Sequence, residues 1–376
     1  VRAMAKDDKV RILVGTRKGA FVVTSDRRRR TWKIGPSALD STDVYHVAAD
    51  PRHPGHLYAA ANSEFWGPMV QHSSNWGKTW KETATPLSPI SKDRPHGNGP
   101  VAAGPVVHLW HIEPGPAEDP DLLYVGADPH LLFRSNDLGS SWEPIDGINQ
   151  HPGRKDWSPG NGGPCLHTIV IDPRDSRRMY VGMSAVGTLR SEDGGRSWTP
   201  TNKNVECPFL PEENRFPEIG QCVHKVAIDA ANPDTFYRQD HGGIYVSHDR
   251  MDSWTRIGKP LGDDFGFCVA SPSARPGLAY FVRLDGARTT AQHFQVQEWN
   301  DTTRRWKMLV RPNAFPGKFN VLREGIATDG LDAPGIYVGT TTGQLFVSPN
   351  AGKSWQVLPY VFPQIRSVSV AGPRAG

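Results

Sequence analysis

The 376-residue sequence predicts an all-β protein: a seven-bladed β-propeller of four-stranded antiparallel blades, its first blade closed by the C-terminal strand. Three observations lead there. An eight-residue pattern recurs at intervals of roughly 50–60 residues, the period of a propeller or solenoid. Short apolar runs separate its copies, with no helical period among them. The composition joins turn formers to large rings: 38 glycines and 33 prolines make up just under a fifth of the chain, beside 12 tryptophans. That share exceeds the average of roughly 12% and stays below the roughly 25–30% of low-complexity chains. The tryptophans supply the apolar bulk that disordered segments lack.

The octad reads Ser, any, Asp/Asn, any, Gly, any, Ser/Thr, Trp. Its clear copies are Ser73–Trp80, Ser135–Trp142, Ser191–Trp198 and Ser348–Trp355. Degenerate copies end at Trp32, Trp254 and Trp306, where Arg27 replaces the acid, Met251 replaces the glycine, and the last keeps little beyond Asp301 and the tryptophan. The pattern has a local cause. An Asp or Asn side chain accepts backbone N–H bonds and fixes a tight turn. Glycine supplies positive φ, and the indole buries a large ring between neighbouring units.

Each copy follows a strand, a glycine-bearing turn and a second strand, as in 126–134 and 337–347. A further apolar run opens each unit, such as Thr168-Ile169-Val170-Ile171 or Lys225-Val226-Ala227-Ile228. Four strands per unit and seven units fill the length, and radial closure leaves only short edges. The chain opens inside a blade, with 11–16 running into 20–23, and ends on a spare strand, Ile365–Val370, with no octad after it. Residues 1–376 therefore read as one propeller domain, with 1–9 as a flexible N-terminal tail.

A net charge of +4 is too small for a nucleic-acid or membrane footprint, so neither partner is expected. No apolar run approaches the roughly 18 residues of a membrane span. Residues 1–9 lack the apolar core of a secretory signal. Four cysteines (Cys165, Cys207, Cys222, Cys268) do not make a disulfide framework in a chain of this length. The expectation is a cytoplasmic protein with free thiols.

The octad resembles the Asp-box (BNR) repeat of propellers in bacterial sialidases, xyloglucanase-type glycoside hydrolases, sortilin-like receptors and photosystem II assembly factors, and the chain is similar to their bacterial glycosyl hydrolase-like branch. The resemblance implies the fold over nearly the whole chain and places the octads on turns away from the ligand face. It is silent on function, which must be argued from a site. A sialidase-like activity would imply an arginine triad, a tyrosine nucleophile assisted by glutamate, and a Phe/Tyr-Arg-Ile-Pro segment near the start. That segment is missing, and Asn214-Arg215-Phe216-Pro217 only echoes it. Arg323 and Arg366 offer two arginines of a triad.

Propellers gather the loops leading into their innermost strands around an axial channel, and histidines recur there. His46, His111, His167 and His224 stand at the start of four consecutive inner strands, followed by Phe267-Cys268, Arg323-Glu324 and Ile365-Arg366. Neutral imidazole is the commonest metal ligand and titrates near pH 7. The reading is a hydrolase-like enzyme for a polar small molecule or saccharide. His111, His167, His224, Glu324 and Arg366 would be catalytic, and His46, His108, Arg154, Arg215 and Arg323 would bind substrate. His46, His111, His167 and His224 would hold one divalent metal ion that activates water. The competing reading has each histidine bonding a neighbouring blade's backbone. The register divides them: His46 precedes Asp50 by four residues, whereas His167 and His224 precede Asp172 and Asp229 by five. A one-residue slip reverses the face of a strand, unless a bulge restores it.

Cys165-x-His167 and Cys222-x-His224 match no compact zinc pattern and read as packed thiols. Three long connections, 87–107, 147–164 and 202–221, carry His96, Asn98, Arg154, Lys155, Asp156, Glu212, Glu213, Asn214, Arg215 and Glu218, and read as lids on one face. Two alternatives stand beside the metal-dependent hydrolase. One is a glycosidase- or sialidase-like exo-enzyme using arginines and two carboxylates drawn from Glu213, Glu218, Asp264 and Glu324. The other is a non-catalytic binding or assembly propeller.

Overall fold

The computed structural model describes residues 8–83, 105–160, 162–284 and 293–373. Seven four-stranded antiparallel sheets stand in a ring. Each innermost strand touches the next, and the seventh touches the first. In chain order, the inner strands of the second to seventh blades are Asp43–Ala49, Leu109–Pro114, Leu166–Ile171, Val223–Ile228, Gly266–Ala270 and Ile326–Thr328. The inner strand of the first blade is Ile365–Ala371, which pairs antiparallel with Val10–Thr16, as the sequence predicts (Ile12 opposite Val370, Val14 opposite Val368).

Inner and second strands are buried on both faces because sheets pack against both sides. Leu57–Ser63 shows why: its Tyr58-Ala59-Ala60-Ala61 core has no exposed side chain. Alternation therefore gives way to continuous apolar runs. The outermost strands are two residues long in every blade but the sixth, where Arg305–Val310 spans six. Short edges offer little template for pairing with another chain.

The octads form the turns from third to fourth strands. In Ser191–Trp198, Ser191 Oγ accepts Gly195 N–H at 2.9 Å and donates to Asp193 Oδ1 at 2.8 Å. Asp193 Oδ1 also accepts Ser197 N–H at 2.9 Å, and Oδ2 accepts the Ser197 hydroxyl at 2.6 Å. The degenerate fifth copy keeps this network, with Met251 at φ 69° where glycine stands elsewhere. In the first copy Arg29 takes that position at φ 55°, and Asp26 rather than residue 27 caps the turn through Arg28 and Arg29 N–H. The sixth copy is no octad. Asn300 Oδ1 caps a tight hairpin at Thr303 N–H, and the Trp306 indole donates instead to Ile257 O of the fifth blade.

A buried ion pair adds to the strand exchange at the ring's seam. Arg29 Nη1 of the first blade donates to both oxygens of Asp329 of the seventh, at 2.8 and 3.0 Å. Asp329 also accepts Gly335 N–H and the Tyr337 hydroxyl. The predicted tail falls mostly on residues 1–7, outside the described residues, and His96 and Asn98 of the first long connection lie outside them too.

Removing one partner of a buried pair strands the other charge. Asp329→Ala is expected to lower the unfolding free energy by roughly 3–5 kcal/mol in chemical denaturation. Arg29→Met added to it should restore part of the loss. A loss below roughly 1 kcal/mol would show that the exchanged strand closes the ring unaided.

Candidate functional site

A bulge near the start of six of the seven inner strands resolves the register. Pairing with the second strand skips Tyr45, Trp110, His167 and His224 in the second to fifth blades. It skips Phe267 and Cys268 in the sixth blade and Arg366 in the first. The four histidines are therefore not equivalent. His167 and His224 are bulged residues, in register with Tyr45 and Trp110, whereas His46 and His111 align with Thr168 and Lys225. Two tiers result around the axis, and Arg323 and Glu324 join them ahead of the seventh inner strand.

The deeper tier holds charge. Glu324 Oε1 accepts Lys225 Nζ at 2.5 Å and lies 3.2 Å from His111 Nδ1. His111 Nε2 lies 3.3 Å from Glu113 Oε2, and the His46 ring stacks on His111 at 4.2 Å. Burial pushes the Glu324 pKa up, but Lys225 and His111 outweigh it and hold the carboxyl well below its usual range. Burial pulls His111 down, yet Glu324 and the bonds to Glu113 and Glu324 bring the net shift upward. His46, desolvated and beside the His111 ring, falls to about 3. The set joins a carboxyl held low, an imidazole held high and a second imidazole held neutral. A cavity of about 1080 Å³ runs from His111 and Lys225 along the inner strands to the octad face, past Thr168, Ile171 and Trp76.

The expected four-histidine metal centre does not form. His46, His111 and Glu324 do bring ligand atoms within 4.8 Å of one another. The Lys225 ammonium, however, already sits on Glu324 where a cation would go, and repels another. His167 has both nitrogens engaged, Nε2 with Val223 O at 3.1 Å and Nδ1 with the Thr168 hydroxyl at 3.0 Å. His224 Nδ1 donates to Gly266 O at 2.6 Å. His46 Nδ1 lies 3.1 Å from Ile112 O. Three of the four thus bond the next blade's backbone and are buried, which removes the support for His167 and His224 as catalytic groups.

The shallower tier is aromatic and cationic. Tyr45 and Trp110 pack at 4.7 Å, and His108 flanks Tyr45 with Nδ1 3.3 Å from Asp128 Oδ2. The Arg323 guanidinium stands 5.7 Å from the Trp110 ring and 5.8 Å from Phe267, and forms no ion pair among the described residues. Arg366 lies over Tyr45 but is held by Asp43 through two bonds of 2.9 and 2.6 Å, so its charge is spent. Arg154 is buried, donating to His130 O and Pro129 O, and is a clamp rather than a substrate ligand. Arg215 pairs with Glu206 on its own loop. The connections read as lids are anchored instead, 147–164 by the fully buried Trp157 and 202–221 by Val205, Cys207 and Gln221. Sequence reasoning missed Lys225, Asp43, Tyr45 and Trp110. The four-residue spacing from Lys225 to Asp229, matching His46 to Asp50, was the available signal.

No family model matches the chain. A xyloglucanase from Paenibacillus sp is 25% identical over 349 residues, covering 86% of this chain and 31% of its own length. A xyloglucanase from Hypocrea jecorina is 24% identical over 253 residues, covering 63% and 24%. The chain thus spans less than a third of the curated relatives it matches. Among solved structures, the GH74 xyloglucanase of Xanthomonas campestris superposes with a TM-score of 0.62 at 17% identity, over 97% of this chain and 52% of that one. YCF48 from Cyanidioschyzon merolae gives 0.56 at 12% identity, over 87% and 88%. These structural likenesses show the propeller fold, shared by an enzyme and by a protein also seen bound to a peptide.

Glu324→Gln leaves Lys225 and His111 without their counter-charge and should lower stability with a defined pH dependence. The depressed Glu324 pKa contributes above the unfolded value of about 4.3 and is lost as pH falls through the folded value. The raised His111 pKa contributes below about 6.5 and is lost as pH rises through the folded value. The melting-temperature gap between wild type and variant should peak between these limits, shrink in acid and narrow in alkali. A gap independent of pH would refute the charge assignment.

Proposed function

We propose that this chain is a glycan-engaging propeller of the glycoside-hydrolase type, holding a polysaccharide across the loop-side mouth of its channel. The observation that carries the reading is the aromatic and cationic tier there, Tyr45, Trp110, Phe267 and Arg323, in a chain whose curated relatives are xyloglucanases. A few polar groups set among aromatic walls are the usual make-up of a ligand site. Sugar rings stack their C–H faces on such walls, while guanidinium and imidazole groups bond the hydroxyls. The hairpin between Leu57–Ser63 and Gly67–Ser73 is on the same side and carries Phe65 and Trp66, 86% and 83% exposed. Large rings so exposed mark an interaction surface.

Recognition is better supported than hydrolysis. Glycoside hydrolysis places two carboxyl groups about 5–5.5 Å or about 6.5–9.5 Å apart with the scissile bond between them. Glu113 and Glu324 flank the His111 ring, and that ring fills the space a sugar would need. Asp43 is tied to Arg366, and Asp264 to Arg256. Glu213 and Glu218 are exposed on the 202–221 connection. The metal-dependent hydrolase loses its support with the metal centre, and a sialidase-like triad loses Arg366. These tied acids favour a second reading, a binding propeller without catalysis.

Affinity electrophoresis and calorimetry with xyloglucan and its oligosaccharides test the proposal. Wild type should be retarded by the polysaccharide. Trp110→Ala and Trp66→Ala should each weaken binding by about tenfold, or 1.4 kcal/mol. Reducing-end release in the same samples separates hydrolysis from binding alone. Unretarded wild type, across xyloglucan and related β-glucans, would overturn the reading.

A further inference from the structure

One cluster on the loop side lies apart from the charged tier. Cys222, immediately before the fifth inner strand, His224 within it and His241, in the hairpin between Phe236–Asp240 and Gly243–Ser247, bring one ligand atom each within 4.8 Å of one another. The structure assigns to these three side chains a binding site for a thiophilic transition-metal ion of the zinc class. This site borders the aromatic tier at Phe267, but its assignment does not rest on the glycan reading.

Four features build it. First, the backbone is fixed on both sides: His241 N–H donates to Cys222 O at 2.9 Å, which staples the hairpin to the start of the inner strand. Second, the bulge takes His224 out of the ladder, so its ring turns back toward Cys222, with Nε2 3.8 Å from Sγ. Ligands about 2.0–2.3 Å from a tetrahedral zinc lie roughly 3.3–3.8 Å from one another. Third, His224 Nδ1 donates to Gly266 O at 2.6 Å, which leaves the lone pair on Nε2, the atom facing the thiol. Metal-bound histidines regularly spend their other nitrogen this way, on a carbonyl or carboxylate. Fourth, Phe209, Phe265 and Phe267 wall the two rings, with centroids 4.6–5.7 Å away. Such a wall limits water and strengthens a thiolate–metal bond.

One thiolate and two imidazoles suit zinc rather than calcium or magnesium, which take oxygen ligands. Cys222 and His241 are partly exposed, so an ion can reach them. Binding replaces the thiol proton, which leaves to solvent as the S–metal bond forms, so affinity should rise with pH. Three protein ligands leave one tetrahedral position open. Burial raises the Cys222 pKa and keeps it a thiol without metal, while it drives His224 well below 6.5 and keeps the imidazole neutral.

The test is titration of Co²⁺ into chelator-stripped protein expressed without a histidine tag, followed by competition with Zn²⁺. Wild type should bind one equivalent, with visible ligand-field bands of tetrahedral cobalt and a thiolate-to-cobalt charge-transfer band, both lost on adding zinc. Cys222→Ser should abolish the charge-transfer band, and His241→Gln should weaken affinity by at least about tenfold. Cys268→Ser, at a buried cysteine outside the cluster, should change neither. Should Cys222→Ser fail to fold, His241→Gln on its part-exposed hairpin carries the test. No spectrum in folded wild type would overturn the assignment, as would bands unchanged in both variants.

Discussion

A ring of seven sheets must satisfy backbone groups that no single sheet can pair, and the structure depends on how it does so. The inner strands leave polar backbone groups turned toward the neighbouring blade, where an unpaired buried carbonyl would be costly. Side chains of the preceding blade meet them. His46 reaches Ile112, His167 reaches Val223, His224 reaches Gly266, and Asn62 bonds both the N–H and the carbonyl of Leu109. The recurring histidine is thus first a seam between blades. Imidazole suits that place because it is flat, fits between close-packed strands and can donate while neutral.

The seam has a chemical by-product. Bulges that free carbonyls also turn side chains of six blades out of the ladder, which builds the aromatic and arginine tier. The regular residue that follows lies one step deeper, which builds the Lys225–Glu324–His111 set. Charges that would be costly alone are held by one another at the axis. Breaking such a set by removing one partner costs more than the set itself contributes over an apolar filling. Its groups are already spent on one another, so the more open chemistry lies toward the loop side.

The octads show how geometry outlasts its residues. Met251 and Arg29 occupy the left-handed position that glycine fills elsewhere, and the surrounding serine, aspartate and backbone bonds hold the turn regardless. Non-glycine residues there carry strain, which the network and the buried indole of Trp254 offset in the fifth blade. In the sixth blade the network is gone, and a six-residue outer strand replaces it.

The sequence by itself determined the seven sheets, their four strands, the closing role of Ile365–Ala371 and the octad turns. All of these rest on local hydrogen bonding and on a pattern repeated along the chain. It also flagged the inner-strand histidines as special and raised the backbone-bonding alternative. Tertiary structure alone decided which of them face which partner. A bulge carries no signature in one sequence, yet it shifts every later side chain by one place. That shift put Lys225 rather than His224 beside Glu324, left Arg366 to Asp43, and aimed His224 at Cys222 and His241, residues whose proximity only ring closure and a strand-pairing register can create.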